Sequence, residues 1–505
     1  MENKKKKILH IAIIVVGMLF ILVGALHKNM WFDETYSVAL VKHSFSEIWR
    51  IGGNDVHPVL YYMLLKVVNI ISGGSVIAYR LFSALGIAIL GILGFTHIRK
   101  DFGEKTGMFF SFFAFFLPVI PTYAAEIRMY SWAAVFVTLT GIYAYRLIKN
   151  SSIKNWILFG IFSLCSLYTH YYGLMAAGLI NVLLFIYFIK RKQIRLKYLK
   201  PFLITGFLQF LAYIPWLYCM YVQIKNVSKG FWITLSFPGT LFEIMEFQCL
   251  GNFDERVAII LAFSLFAIAF STMYRLRIVK NKENGNIFKN IWKKICSTEN
   301  ELNPGKQAII VYILVIIAAA VLSIKSPILY PRYLFSATGL LIFFWSYFLS
   351  KTTAKKATYV LCAFIVIASI YSNVKFALTN YDSTNMTQIE YMKENLQQGD
   401  TIIFRNQELN TGSVIDVNFD GYDTYFYDAE NWNVEKAYEA YSPDMKIIHS
   451  LDDIQNVNGR IWIIDSANFG LYNEMSEKYN INLIQKETIN TKFKEHNYNF
   501  VLIEK

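Results

Sequence analysis

The sequence predicts a mainly α-helical, polytopic membrane protein that carries a small α/β domain at its C-terminal end. Of the 505 residues, 55% are hydrophobic, and they recur in long runs of the length that crosses a bilayer. The charge is divided, because residues 1–375 carry 39 Lys and Arg against 15 Asp and Glu, whereas residues 376–505 carry 10 against 21. The last 130 residues instead alternate short apolar runs with polar turns.

Eleven apolar segments are long enough to be predicted as membrane spans. They are residues 8–26, 76–98, 106–122, 129–148, 153–169, 172–189, 198–220, 257–274, 308–324, 333–349 and 357–374. The lysine-rich start resembles a signal peptide. However, the apolar stretch that follows is long and has no A-x-A-like cleavage site, so we expect an uncleaved first span.

Residues 57–74 are a twelfth apolar segment, and the distribution of basic residues argues against its crossing the membrane. With the N-terminal lysines inside and this segment not crossing, the cytoplasmic connections hold 27 of the 39 basic residues of the helical part. If the segment crossed, 23 of those 27 would move outside, against the positive-inside rule. The segment is interrupted by Lys66 and Asn69, which suits an interfacial helix in the first outer loop.

Residues 376–505 are predicted to form a separate, extracytoplasmic α/β domain, next to a helical domain over 1–375. The runs GDTIIFR, MKIIHSL, GRIWIID and YNFVLIEK read as strands bounded by Gly, Asp and Asn, and MTQIEYMKENLQQ reads as a helix. About 130 residues suffice to bury a core. The N-terminus is then cytoplasmic and this domain outside, in a multi-pass protein of a bacterial plasma membrane.

Charge and cysteine usage exclude other classes of function. The basic residues belong to the membrane part, where they indicate topology and not a nucleic-acid surface, so we expect no nucleic-acid partner. The five cysteines have no paired spacing, which gives no indication of a disulfide framework or a metal knuckle.

Apart from the basic residues of the cytoplasmic connections, the charged and polar residues that stand at the ends of spans lie mostly on the predicted outer side of the membrane. Asp33 and Glu34 follow the first span in WFDETYS, and Asp55 and His57 lie in the same outer loop. Partial burial beside Trp31 would make such charges costly unless they are used. Basic residues then stand singly at later outer ends of spans: Arg80, Arg128, Lys325 and Arg332.

These residues point to acid–base chemistry next to a phosphate. One carboxylate can take a proton from an incoming hydroxyl, while arginines neutralise a phosphate that departs. Each residue also has a purely structural alternative. The acids can be solvated, Arg80 can snorkel, Arg128 can pair with Glu126, and His170 can be an interfacial polar residue.

The motifs FDETYS, DVHPVLYYMLL, AAEIRMYSW, YTHYYGL, YIPWL and YPRYLF resemble those of the GT-C class of membrane glycosyltransferases. The resemblance covers roughly residues 8–350 and is to the bacterial branch related to protein O-mannosyltransferases and the lipid A aminoarabinose transferase (glycosyltransferase family 39-like). Many relatives have H-P-P, whereas this chain has Val59 at the second proline. This change alters the loop backbone but removes no reactive group.

The resemblance implies a polyprenyl-phosphate sugar as donor and an inverting transfer to a glycan, lipid or protein acceptor outside the membrane. It assigns the catalytic carboxylate to Asp33, with Glu34 in support. Arg128 and Arg332 would hold the donor phosphate, with Arg80 and Lys325 as further candidates. The candidate acceptor-side residues are Asp55, His57, Tyr61 and His170. Two adjacent acids leave open whether a divalent metal ion takes part.

Two other functions are alternatives to sugar transfer: a transporter or flippase, and a surface-anchored binding protein. A transporter or flippase of lipid-linked sugars would place charges or broken helices near mid-span, whereas here the charges cluster at outer ends and runs such as VYILVIIAAAVLSI are apolar throughout. A surface-anchored binding protein would need far fewer than eleven spans. The sequence also shows no Walker loop, which agrees with an activated bond that arrives on a lipid.

Overall fold

The structure of the chain, a computed structural model, describes residues 2–190, 195–228, 233–251, 253–282, 303–382, 387–405, 411–428, 445–465, 468–491 and 496–505. A long connection, Arg275–Lys306, is predicted on the cytoplasmic side between the spans 257–274 and 308–324. Its residues 283–302 lie outside the described ranges. The chain forms two compact units. The helical unit comprises Met1–Leu26, Arg80–Ala125 and Met129–Phe376, and the mixed unit comprises His27–Tyr79, Glu126–Arg128 and Ala377–Lys505. The predicted division at 375/376 stays a prediction.

Twenty α-helices are numbered here in chain order over the described residues. They are α1 Glu2–Ala25, α2 Phe32–Leu40, α3 Phe45–Gly52, α4 Leu60–Ser72, α5 Val76–Leu93, α6 Arg99–Phe102, α7 Glu104–Phe116, α8 Ile120–Ala125, α9 Tyr130–Lys149, α10 Ile153–Thr169, α11 Tyr171–Lys190, α12 Arg195–Val227, α13 Gly239–Glu246, α14 Glu255–Lys282, α15 Pro304–Ser323, α16 Thr338–Leu349, α17 Lys355–Tyr381, α18 Thr387–Asn395, α19 Thr411–Asn418 and α20 Gly470–Lys478. A π-helical turn, Gly94–Ile98, joins α5 to α6, and a 3-10 helix, Pro331–Ala337, leads into α16.

Nine helices among the described residues are long and apolar enough to cross a membrane, which confirms the polytopic helical fold. The other two predicted spans take different forms. Residues 153–169 form α10, an apolar helix of 17 residues. Residues 106–122 form α7 and α8, because Leu117 precedes Pro118 and adopts the extended backbone that a proline imposes on its predecessor.

The centre of the helical unit is formed by α9 and α16, which are buried over most of their length. Close approach of these two helices depends on a glycine. A Cβ atom on Gly339 would lie 1.8 Å from the Thr138 hydroxyl, so a larger residue there requires the Thr138 side chain or the helix to move. Helices such as α12 instead expose large apolar side chains, including Leu203 and Phe207, as expected for a surface in contact with lipid.

The mixed unit contains a six-stranded sheet with strand order β3-β2-β1-β4-β6-β5. The strands are β1 Thr401–Arg405, β2 Asp423–Tyr427, β3 Lys446–Ile448, β4 Arg460–Asp465, β5 Asn482–Thr491 and β6 His496–Glu504. The first four strands are parallel, and β6 runs antiparallel to both β4 and β5. The side chains of β1 and β4 are buried on both faces, as expected for central parallel strands.

The small C-terminal α/β portion predicted from the sequence is therefore confirmed. The four predicted strand segments correspond to β1, β3, β4 and β6, and the predicted helix to α18. The helices of the first loop are also present. With 9, 8 and 13 residues, α2, α3 and α4 are each shorter than the roughly 20 residues that a bilayer crossing needs.

Candidate functional site

The acid pair lies in the first turn of α2, where carboxylates are favoured by the exposed amides of a helix N-terminus. Glu34 is only 2% exposed. One of its carboxylate oxygens accepts a hydrogen bond from the Trp31 amide at 3.3 Å, and the other accepts one from the Ile127 amide at 3.0 Å. Glu34 therefore caps α2 and ties this helix to the segment Glu126–Arg128, which belongs to the same unit.

Asp33 differs from its neighbour, because it is partly exposed. Its backbone carbonyl accepts a hydrogen bond from the Arg128 guanidinium at 3.3 Å and one from the Ser37 hydroxyl at 3.0 Å. Its carboxyl group stands at the beginning of a helix whose remaining residues, from Glu34 to Leu40, are buried. The two adjacent acids thus have different environments, since Glu34 is buried and held by backbone amides whereas Asp33 is partly exposed.

Arg128 is the predicted phosphate-binding residue that the structure places beside the acid pair. It is buried, and Nη1 of its guanidinium contacts the Asp33 carbonyl and, at 3.4 Å, the Ser37 hydroxyl. Glu34 holds the neighbouring residue Ile127, so the position of Arg128 depends on the same carboxylate that caps α2. A buried guanidinium held next to a partly exposed aspartate is suited to binding a phosphate beside a hydroxyl that gives up its proton.

The loop between α3 and α4 contributes a further acid, Asp55, to the region of the acid pair. Desolvation raises the pKa of Asp55 to about 6; the charge of Arg128 opposes this shift, and the charge of Asp33 adds to it. Asp33, Asp55 and Arg128 are therefore electrostatically coupled. His57 follows in the same loop and is buried, and Tyr61 on α4 is fully buried. All five residues belong to the mixed unit.

Helix α19 of the sheet-containing part holds α2 in place. The Thr35 and Ser413 hydroxyl groups are 2.9 Å apart and buried, and Ser413 also donates to the Phe32 carbonyl at 3.4 Å. Beyond the end of α2, the Lys42 ammonium lies 3.2 Å from the carboxylate of Asp416, which is 4% exposed. The C-terminal residues thus fix the helix that carries the acid pair.

His170 lies in the helical unit, between α10 and α11. It is buried, and its Nδ1 accepts a hydrogen bond from the Tyr172 amide at 3.0 Å, which leaves Nε2 to carry the proton of the neutral ring. Three tyrosine rings surround it, with centroids 5.2 Å (Tyr333), 5.6 Å (Tyr130) and 5.7 Å (Tyr172) from its own.

Arg332 extends this aromatic cluster. Its guanidinium carbon lies 5.6 to 5.9 Å from the ring centroids of Tyr330, Tyr130 and Tyr333, within the range of cation–π attraction. His170 and Arg332 therefore share two tyrosines, Tyr130 and Tyr333. These rings were not among the predicted site residues, although they lie next to the predicted arginines in the motifs IRMYSW and YPRYLF.

The two remaining cationic candidates also lie in the helical unit. Arg80 is buried, and its Nη1 donates to the Ala125 carbonyl at 2.7 Å. Lys325 is exposed. The structure thus brings Asp33, Glu34, Asp55 and Arg128 together in the mixed unit, and His170 and Arg332 together in the helical unit. The roles predicted for all ten site residues stay predictions.

The described residues do not provide a metal site of ordinary composition. No group of three or more His, Cys, Asp or Glu side chains among them is placed to hold a metal ion. Both carboxylate oxygens of Glu34 accept backbone hydrogen bonds, and the described residues place no two further ligands of these types beside it, so the acid pair does not fit a metal site of ordinary composition.

A polytopic helical part followed by a small α/β part, with an acid pair after the first span, defines a multi-pass membrane protein of the GT-C fold class. The chain is similar to two solved structures of ArnT from Cupriavidus metallidurans. The apo structure has a TM-score of 0.62 at 11% identity, and the comparison covers 99% of this chain and 98% of that one. The structure bound to undecaprenyl phosphate has a TM-score of 0.60 at 10% identity and 97% coverage of both chains.

Comparison with protein-family models and with curated protein sequences gives no match. At 10% to 11% identity, the similarity to the solved structures establishes the fold. The chain has this fold over nearly its whole length, including the C-terminal residues for which the sequence motifs gave no resemblance.

Proposed function

We propose that this protein is an integral-membrane glycosyltransferase that moves a sugar from a polyprenyl-phosphate donor to an acceptor outside a bacterial plasma membrane, with inversion at the sugar carbon. The observation that carries the proposal is the shared fold with ArnT over 97% to 99% of the chain, since one of those structures is bound to undecaprenyl phosphate. ArnT is the lipid A aminoarabinose transferase. The comparisons give no support to a transporter or flippase.

In the proposed reaction, an acceptor hydroxyl attacks the anomeric carbon of the donor while Asp33 accepts its proton. The bond between the anomeric carbon and the phosphate oxygen breaks, and polyprenyl phosphate leaves with the electron pair. Asp33 suits the role of base because it is a partly exposed residue in the first turn of a helix whose following residues, Glu34 to Leu40, are buried. Glu34 acts as the residue that positions this helix, because its oxygens are occupied by backbone amides.

The leaving phosphate needs positive charge, which the proposal assigns first to Arg128. This guanidinium contacts the helix of Asp33, so a phosphate bound to it would lie close to the reacting hydroxyl. Arg332 is the second candidate, and the tyrosine rings beside it offer flat apolar surface to a sugar or a lipid chain. Arg80 and Lys325 remain weaker candidates for the same role.

On the acceptor side, the proposal keeps Asp55, His57, Tyr61 and His170. Asp55 is coupled to both Asp33 and Arg128, so its protonation state affects the charges that face the substrate. The orientation that goes with the proposal places the N-terminus in the cytoplasm and the acid pair outside, in agreement with the excess of basic residues in the predicted inner connections.

The proposal is tested by mass spectrometry of lipid-linked sugars and envelope glycans in cells with and without the gene. A polyprenyl-phosphate sugar is expected to accumulate in the deletion strain while one envelope glycan, glycolipid or glycoprotein loses a sugar. Complementation with the wild-type gene restores the product, and complementation with Asp33→Asn does not. Unchanged lipid-linked sugars and glycans in the deletion strain would contradict the proposal.

A further inference from the structure

The mixed unit contains a cavity of about 540 Å³, apart from the acid pair, that is lined by both polar and apolar residues. Its volume falls within the range of ligand pockets, about 300–1,000 Å³. None of the described residues that line it is among the site residues predicted from the sequence. Helix α2 contributes Val38, which points about 140° around the helix from Asp33 and lies about 7.5 Å further along its axis.

The lining of the cavity is cationic and hydrogen-bonding. Lys28, Lys42 and Lys393 contribute three ammonium groups against the single carboxylate of Glu390. Lys42 is already paired with Asp416, so the charge available to a ligand comes mainly from Lys28 and Lys393. Both of these side chains are exposed and therefore accessible from solvent.

Three asparagines on the cavity wall are held in place by backbone hydrogen bonds. The amide nitrogens donate to the carbonyls of Asp382 (from Asn29, 3.0 Å), Val41 (from Asn69, 3.2 Å) and Val414 (from Asn418, 2.8 Å). The hydroxyl group of Tyr79 in addition donates to the Asn69 side chain. The polar wall is therefore pre-organised, which lowers the cost of ordering it around a ligand.

We propose that this cavity binds a phosphate-bearing segment of the glycan acceptor. Lysine ammonium groups bind phosphate as point charges, and carboxylates and amides pair with sugar hydroxyls. Helix α2 contributes Val38 to the cavity wall and carries Asp33 about 7.5 Å away along its axis, so an extended acceptor bound in the cavity would have to pass around this helix to bring a hydroxyl to Asp33. The assignment of the ligand to the acceptor rests on the proposed function, whereas the binding of a phosphate-bearing glycan does not.

The test measures binding to the full-length protein in detergent with a synthetic oligosaccharide that carries one phosphodiester, and with the same oligosaccharide lacking it. We expect the phosphodiester to tighten binding at least tenfold, and the variant Lys28→Glu/Lys393→Glu to lose this difference. The charge-preserving variant Lys28→Arg/Lys393→Arg should keep it. Equal affinities for the two probes, or no effect of the charge reversal, would overturn the proposal.

A matched control reverses two exposed lysines of the same unit that do not line the cavity, in the variant Lys446→Glu/Lys478→Glu. This variant should bind both oligosaccharides as the wild type does, and an equal loss in it would mean that only net charge matters. A second experiment tests a lipid headgroup as the ligand, with phosphatidylglycerol in nanodiscs as the competitor of the bound oligosaccharide. If phosphatidylglycerol displaces the oligosaccharide from the wild-type protein but not from Lys28→Glu/Lys393→Glu, the cavity is a lipid-headgroup site and the assignment to a glycan is wrong.

The site and the proposed function fail in different ways. Lysine-dependent binding of the phosphodiester probe, together with no sugar transfer by the wild-type protein, would leave the site standing and remove the function. Sugar transfer that depends on Asp33, together with binding that ignores the cavity lysines, would do the reverse.

Discussion

Replacing Glu34 by Gln should loosen two backbone segments, one at Trp31 and one at Ile127, which is 93 residues from Glu34 in the sequence. The carboxylate accepts hydrogen bonds from the Trp31 and Ile127 amides, whereas a glutamine offers one oxygen and places an NH₂ group against the second amide. The charge of the acceptor is also lost. A hydrogen bond to a charged group contributes about 1.5–3 kcal/mol, and a buried amide left without an acceptor costs a similar amount.

Hydrogen exchange measured by mass spectrometry reads this loss directly at peptides that include Trp31 and Ile127. A loss of about 1.5–3 kcal/mol corresponds to a roughly ten- to hundredfold faster exchange of these amides, if exchange occurs through local opening. Sugar transfer should fall as well, because Arg128 and the first turn of α2 lose their fixed positions. Glu34→Ala removes both acceptors and should accelerate exchange in both segments.

Glu47→Gln is the matched control for this experiment. Glu47 also caps a helix, since its carboxylate accepts hydrogen bonds from the Ser44 amide at 3.0 Å and the Ser44 hydroxyl at 2.7 Å, but these hydrogen bonds are exposed to solvent. Water replaces a lost acceptor there, so exchange should change by less than about threefold. Unchanged exchange at Ile127 in Glu34→Gln, or an equal effect of Glu47→Gln on its own helix, would refute the structural role assigned to Glu34.

Two further predictions concern the same unit. Thr35→Val should destabilise the contact between α2 and α19 by about 1–2 kcal/mol, because Ser413 loses a buried hydrogen-bond partner. Adding Ser413→Ala should recover part of that loss, as measured by hydrogen exchange of α19. If the two substitutions instead act additively on that exchange, the contact is contradicted. Desolvation raises the pKa of Asp55 to about 6, so we expect kcat/KM to rise with pH through about 6 as the ionised carboxylate comes to face Arg128. Asp55→Asn should remove this rise from the pH profile. If the rise is unchanged in that variant, it belongs to another group. Because the pKa of Asp55 is raised above 3.8, its contribution to stability is full below pH 4 and is lost as pH rises through 6, opposite in sign to the activity.

Much of the fold follows from local sequence properties. The long apolar runs gave the spans, and apolar segments bounded by Gly, Asp and Asn gave four of the six strands. Strands β2 and β5 were missed. Strand β5, Asn482–Thr491, carries Lys486 and Glu487 and lies at the edge of the sheet, so it lacks the apolar run that marks its neighbours. The break between α7 and α8 was readable from Pro118, and hydropathy alone passes over it.

The arrangement of the candidate site was less predictable, because it depends on pairings between distant residues. The sequence marked Asp33 and Glu34 as a pair but could not separate their roles. That separation comes from the Ile127 amide, a backbone group with no sequence signal. The hold of α19 on α2 likewise uses Thr35 and Ser413, ordinary residues 378 positions apart, whose importance appears only when the fold brings them together.

The proposed reaction depends above all on Asp33 accepting the proton of the acceptor hydroxyl. The most direct measurement is sugar transfer by the purified protein from a synthetic polyprenyl-phosphate donor, with the acceptor identified by glycan analysis, in wild type and in Asp33→Asn. We expect the variant to lose at least a hundredfold in kcat while its hydrogen exchange and donor affinity stay close to those of the wild type. Transfer at the wild-type rate by a folded Asp33→Asn protein would contradict this expectation.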